Sequence, residues 1–244
     1  VFATGDIVGA GLYCQKLSLR LGTGRPFYAI SPYYPDREPT PATIELMAKE
    51  RLRALRHQLP AGPCILAGFC GPGGTLAYEM ARQIEREGSR VLAVVLIDTF
   101  PILPKLRAEK RSMPVRVAIR AVDKVLRAVP AFRRQVILSI GKYRTSPEQN
   151  YFRSLPYPDA FEAYRTAAYA YEPEPIEAPL HILWPIDELA HPSIEAFRSG
   201  WGRVAPSVKV TPVPGDNWAA LTLEVDSLAA AILEVIVSVE DMPL

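Results

Sequence analysis

The stretch "CILAGFCGPGGTLAYEMARQIEREG", residues 64–88, decides the fold. It opens on an apolar run, 64–69, and closes on apolar positions repeating at helical spacing over 75–87. Between them lie Cys70 and the segment Gly71, Pro72, Gly73 and Gly74. A strand that turns at once into a helix is one unit of a parallel sheet, and glycines in the bend remove side chains that would collide there. The stretch predicts a strand over 64–69, a tight bend at Cys70 and a helix over 75–87.

The same alternation extends in both directions. Further apolar or β-rich runs stand at "VFATG" (1–5), "PFYAIS" (26–31), "VLAVVLID" (91–98), "LHILWPI" (180–186) and "VKVTPV" (208–213). Helical patterns fill 12–21, 44–57, 194–201 and 219–237 and supply the crossovers that parallel strands require. The expected fold class is α/β: a mostly parallel sheet flanked by helices, in a single domain over 1–244. The rhythm breaks between Asp98 and Pro179, where helical patterns continue without a strand, which predicts a helical lid insertion at about 99–178.

Composition narrows the function classes. Of 244 residues, 49% are hydrophobic and 22% charged, too apolar for a disordered chain. A net charge of +2 argues against nucleic acid as a partner of the whole molecule. Locally, residues 101–145 carry twelve Lys or Arg against Glu109 and Asp123. That excess fits either solvated helix faces or a surface for an acidic partner or anionic substrate. Cys14, Cys64 and Cys70 form no CxxC and no metal-ligand or disulfide spacing, which points to a reducing, cytoplasmic setting and to no bound metal. No apolar run reaches the length of a membrane span and no basic-then-apolar leader is present, so no membrane partner is expected. The chain opens at Val1 inside a strand, as a domain cut from a longer polypeptide would.

The bend is where chemistry is expected. A glycine-flanked nucleophile between strand and helix is a nucleophile elbow, usually written G-x-S-x-G. Cys70 takes the nucleophile position, at a helix N-terminus whose amides favour a thiolate and an oxyanion. The Gly71 amide is the first oxyanion donor; the second is expected from Asp6 or Ile7, in the loop after the first strand. Cys14 and Cys64 read as core residues. Two registers are available at the bend. Either Cys70 holds the nucleophile position with one extra residue before the glycine pair, or Gly71 holds it and no nucleophile is left.

Over nearly the whole chain, in "GPCILAGFCGPGGTLAYEMARQIEREG", "VLAVVLIDT", "APLHILWPID" and "VTPVPGDNWAAL", the sequence resembles the thioesterase domains of nonribosomal peptide and polyketide synthases. The resemblance implies an α/β-hydrolase fold, a nucleophile at Cys70 and a catalytic acid at Asp98. It places Asn217 where that family keeps histidine. Asparagine accepts no proton at neutral pH, and His191, near Asp187 past the 180–186 strand, is a candidate relocated base, the one a hydrolytic enzyme would use.

Loss of the base handicaps attack by water more than attack by a nucleophile tethered in the substrate. A thioester acyl-enzyme also keeps the activation that closure of a strained ring needs. Family members with Cys in the elbow include some that close β-lactones and β-lactams, monobactam-forming ones among them. The expected activity is therefore release of a peptidyl thioester by intramolecular cyclisation, with β-lactam formation the specific expectation. The partner is an upstream peptidyl carrier protein domain, whose phosphopantetheine arm delivers the substrate; no cofactor is bound. The alternatives are a hydrolytic or editing thioesterase, and a catalytically silent module that docks the carrier.

Overall fold

The computed structural model describes residues 2–5, 12–30, 41–55, 62–100, 163–187 without 165 and 169, 194–216 and 219–240. The chain divides into two units, Val1–Ile102 with Asp159–Leu244, and Leu103–Pro158. All described residues belong to the first.

Six strands form its sheet: β1 (Phe2–Gly5), β2 (Phe27–Ile30), β3 (Cys64–Phe69), β4 (Val91–Ile97), β5 (Leu180–Pro185) and β6 (Val208–Val213). Each of the six predicted runs supplies one. The order is β2-β1-β3-β4-β5-β6, and every pairing is parallel. The chain winds outward from β1 to β2, then crosses back and proceeds through β3 in the other direction. That reversal puts a topological switch point between β1 and β3, where open parallel sheets bind ligands beyond the carboxyl ends of the strands.

The helices are α1 (Leu12–Leu21), α2 (Ile44–Leu55), α3 (Cys70–Arg86), α4 (Ile194–Trp201), α5 (Ala219–Thr222) and α6 (Val225–Glu240). Alternate strand residues divide between two cores. Leu66, Val94, Leu96, Leu180 and Ile182 pack with α2, α3 and α4. Ile65, Ala67, Val95, Ile97 and Leu183 pack with α1 and α6 on the opposite face. Covering on both faces is why β3 and β4 read as continuous apolar runs, and β5 as one broken by His181 alone.

Two boundaries differ from expectation. The helix predicted from Thr75 begins at Cys70. Pro72 does not oppose this, because it falls in the first turn, where a backbone N–H has no intrahelical acceptor. The last helix is broken: Leu223 and Glu224 both donate to the Ala219 carbonyl, separating α5 from α6. The predicted helix end at His57, and residues 101–162 of the lid expected over 99–178, lie outside the described residues.

A buried polar network ties α3 to the chain that enters β5. The fully buried Glu79 carboxylate receives Arg82 through both oxygens, at 2.6 and 2.7 Å, together with the hydroxyl of Tyr171 and the side-chain amide of Gln83. Burial pushes this carboxyl up, but hydrogen bonds from Arg82, Tyr171 and Gln83 outweigh it and hold it below its ordinary range. Arg82 also reaches Glu174, and Glu85 accepts the amides of Glu177 and Ala178 at 2.8 Å. The helix headed by Cys70 is thus anchored from Glu79 to Glu85.

Candidate active site

β3 and β4 run side by side with Phe69 opposite Ile97, so Cys70 and Asp98 leave neighbouring strands at one level. Both turn through left-handed backbone, with φ +59° and +50°, the two non-glycine residues to do so among those described. Such a conformation costs a residue with a Cβ roughly 1–2 kcal/mol. Gly71, which would adopt it freely, is helical instead. Strain is therefore borne at the cysteine although a glycine stands beside it.

Close packing makes the bend possible. A Cβ on Gly68 would lie 2.2 Å from the Gly73 carbonyl oxygen, and one on Gly74 would lie 2.0 Å from Thr99 Oγ1. At Gly68 the clash is with backbone and admits no side chain, whereas at Gly74 a side chain would have to displace that of Thr99. Thr99, fully buried, fills the space: its hydroxyl lies 3.1 Å from the Cys70 carbonyl oxygen and 3.2 Å from that of Ile97. The Asp98 amide donates to the Leu183 carbonyl at 3.0 Å, carrying the β4 to β5 ladder one residue past the strand.

Cys70 is half-buried, whereas Cys14 and Cys64 are buried and unbridged. Burial pushes the Cys64 thiol up to about 11, which makes it inert at neutral pH. Cys70 stands at the N-terminus of a helix of seventeen residues, and the Gly71 amide is among the first-turn donors without an intrahelical acceptor. A strained, partly exposed thiol at a helix N-terminus beside the switch point is an arrangement suited to acyl transfer.

A family model for the thioesterase domain matches residues 1–125. The chain belongs to that family. Indigoidine synthase of Streptomyces lavendulae is 38% identical over 102 residues, which are 41% of this chain and 8% of that protein. The dimodular nonribosomal peptide synthase of Bacillus subtilis (strain 168) is 31% identical over 86 residues, 35% of this chain and 4% of that protein. The chain spans less than a tenth of both relatives.

Among solved structures, the NocB thioesterase domain from the nocardicin cluster superposes with a TM-score of 0.65 at 21% identity, covering 96% of this chain and 92% of that one. The four-domain nonribosomal peptide synthetase AB3403 gives 0.67 at 24%, covering 99% of this chain and 19% of that one. These likenesses carry the α/β-hydrolase fold of the thioesterase domain.

Of the site residues expected from sequence, Cys70, Gly71 and Asp98 are described, and they lie at one corner of the sheet. Asp6, Ile7, His191 and Asn217 lie outside the described residues. The flanks of the last are described: Asp187 exchanges hydrogen bonds with Gly215, its amide donating at 3.1 Å and its Oδ2 accepting at 3.2 Å. Asp216 caps α5 by accepting the Ala219 amide at 2.7 Å. Asp187 therefore has a structural task, anchoring the turn between β6 and α5 to the end of β5.

His181 is buried in β5, and its Nδ1 has no partner. Burial, with Lys209 opposite on β6, pushes it down to about 4, so it is neutral at physiological pH and is a packed side chain. Thr99 is the residue that sequence reasoning missed. Its one signal was its position directly after Asp98. Among the described residues no cluster of His, Cys, Asp or Glu is built to hold a metal, and no helix is long and apolar enough to cross a membrane.

Proposed function

We propose that this thioesterase domain is the terminal release unit of a cytoplasmic nonribosomal peptide synthetase, and that it releases its product by ring closure on a cysteine acyl-enzyme. The observation that carries the reading is the left-handed backbone of Cys70 at the head of α3, with Gly71 beside it in helical conformation. That geometry favours the register with Cys70 in the nucleophile position. The names of the relatives, a peptide synthase of Bacillus subtilis among them, support a carrier-delivered substrate.

In the proposed reaction a carrier protein presents a peptidyl thioester on its phosphopantetheine arm. Cys70 Sγ attacks the carbonyl carbon, and negative charge gathers on the oxygen, which the Gly71 amide and a backbone donor from Asp6 or Ile7 hold. The bond to the pantetheine sulfur breaks, and the departing thiolate takes the proton that Cys70 gives up. A nitrogen or oxygen within the acyl chain then attacks the new thioester, its proton leaves with the Cys70 sulfur, and the ring is released. Asp98 orients Asn217 or the attacking group of the substrate. His191 is the base in a hydrolytic variant of the scheme.

Asparagine at 217 supports cyclisation over hydrolysis, since water needs a base as it attacks whereas a tethered nucleophile gains an effective concentration of up to ~10⁵ M or more. A four-membered lactam is the ring that draws most on the activation kept by a thioester intermediate. The test offers a synthetic pantetheine peptidyl thioester carrying an internal amine to the native domain and to Cys70→Ala. The expected result is a mass gain on the native protein alone and a ring-closed product. Hydrolysed product alone would assign the hydrolytic alternative, and absence of any acyl transfer would leave a carrier-docking module.

A further inference from the structure

We propose that Thr99 is a positioning residue for acyl transfer, acting by fixing and polarising the Gly71 amide. The inference rests on the reading of Cys70 as nucleophile and Gly71 as oxyanion donor. The carbonyl of Cys70 and the N–H of Gly71 belong to one planar peptide group and point in opposite directions. Whatever fixes the carbonyl therefore aims the amide. Thr99 Oγ1 lies 3.1 Å from that carbonyl oxygen, and Thr99 itself is fully buried. A proton donated to the carbonyl also draws electron density from the amide nitrogen and makes its N–H a better donor.

Thr99 is itself held. Its hydroxyl lies 3.2 Å from the Ile97 carbonyl, so its one proton is shared between the acceptors on either side of the two left-handed residues. Gly74 leaves room for it, since a Cβ there would lie 2.5 Å from Thr99 Cγ2. One side chain thus links the turn at Asp98 to the turn at Cys70. A valine would fill the same volume and donate nothing.

The experiment compares the wild type, Thr99→Val and Thr99→Ser in three measurements: acylation of Cys70 by a pantetheine acyl thioester, alkylation of Cys70 by iodoacetamide, and the Gly71 amide proton shift in protein labelled with ¹⁵N-glycine. Alkylation passes through no oxyanion, so it separates loss of the amide's aim from collapse of the bend. Thr99→Val is expected to lower the maximal acylation rate by about tenfold with little change in the substrate concentration at half-maximum, a fraction of the loss when an oxyanion donor is removed outright. Alkylation stays within about twofold, the Gly71 proton moves upfield as polarisation is lost, and Thr99→Ser restores all three. Acylation at the wild-type rate in Thr99→Val, or alkylation falling in step with acylation, would overturn the proposal. If the wild type alkylates but accepts no acyl thioester, the enzymatic reading fails by itself, and an unshifted Gly71 proton would then overturn the Thr99 proposal separately.

Discussion

Cys70 and Asp98 stand one residue beyond the register pair Phe69 and Ile97, and each turns through left-handed backbone as it leaves its strand. The sheet therefore delivers a thiol and a carboxylate to one corner, in a conformation that neither residue would choose. Replacing Cys70 by glycine relieves that strain, whereas alanine keeps it. Cys70→Gly should be about 1 kcal/mol more stable than Cys70→Ala in urea unfolding, with acyl transfer lost in both. Equal stability of the two would show that the turn is unstrained.

The contacts of Gly68 and Gly74 make opposite kinds of test. At Gly68 an added methyl meets backbone, the Gly73 carbonyl at 2.2 Å, which cannot move without unwinding α3. Gly68→Ala should cost about 3 kcal/mol or abolish folding. At Gly74 the methyl meets the Thr99 side chain at 2.0 Å, which can turn away at the expense of its hydrogen bonds. Gly74→Ala should fold with a lower melting temperature and lose acyl transfer disproportionately; full activity in folded Gly74→Ala would contradict the packing described.

Much of this was legible in the sequence because strands covered on both faces leave a simple mark. The runs 64–69 and 91–97 are apolar without interruption and 180–186 is broken by His181 alone, and β3, β4 and β5 lie within them. The start of α3 was harder to see, since Gly71, Pro72, Gly73 and Gly74 look like breakers on local propensity. Their helical state comes from tertiary contact, Gly74 against Thr99 and Gly73 over Gly68, which no local pattern records. Thr99 was invisible for a related reason. Its importance lies in reaching across from one strand end to the next, and a threonine after a strand is common.

The Glu79 and Arg82 pair is buried and remote from the thiol, which allows stability to be separated from chemistry. Removing Glu79 takes from Arg82 its buried counterpart and leaves it only the exposed carboxylate of Glu174. Glu79→Ala should lower stability by about 3–5 kcal/mol. The folded fraction should still acylate at close to the native rate, because the network sits in the middle of α3, against Tyr171 and Glu174, away from Cys70. Chemical unfolding paired with active-site titration would check both halves.

His181 sets an acid limit on stability. Burial holds it neutral down to about pH 4, while in the unfolded chain it protonates near pH 6.5. Between those values the unfolded state binds more protons, so this group's contribution falls as pH drops from about 6.5 towards 4 and levels off below. The loss attributable to it is on the order of 3 kcal/mol. Unfolding curves measured from pH 4 to pH 7 should show this slope in the native domain and a shallower one in His181→Phe.

Cys64 and Cys14 are buried, and Cys64 titrates at about 11, so a limiting alkylating reagent at pH 8 should modify Cys70 first. That selectivity makes the central measurement clean. The domain and its Cys70→Ala variant are mixed with a pantetheine peptidyl thioester, and the intact protein masses and released products are read together. One acyl adduct is expected on the native domain, none on Cys70→Ala, and a ring-closed product formed as the adduct decays. An adduct that persists in Cys70→Ala, or its absence from both proteins, would contradict the cysteine acyl-enzyme reading.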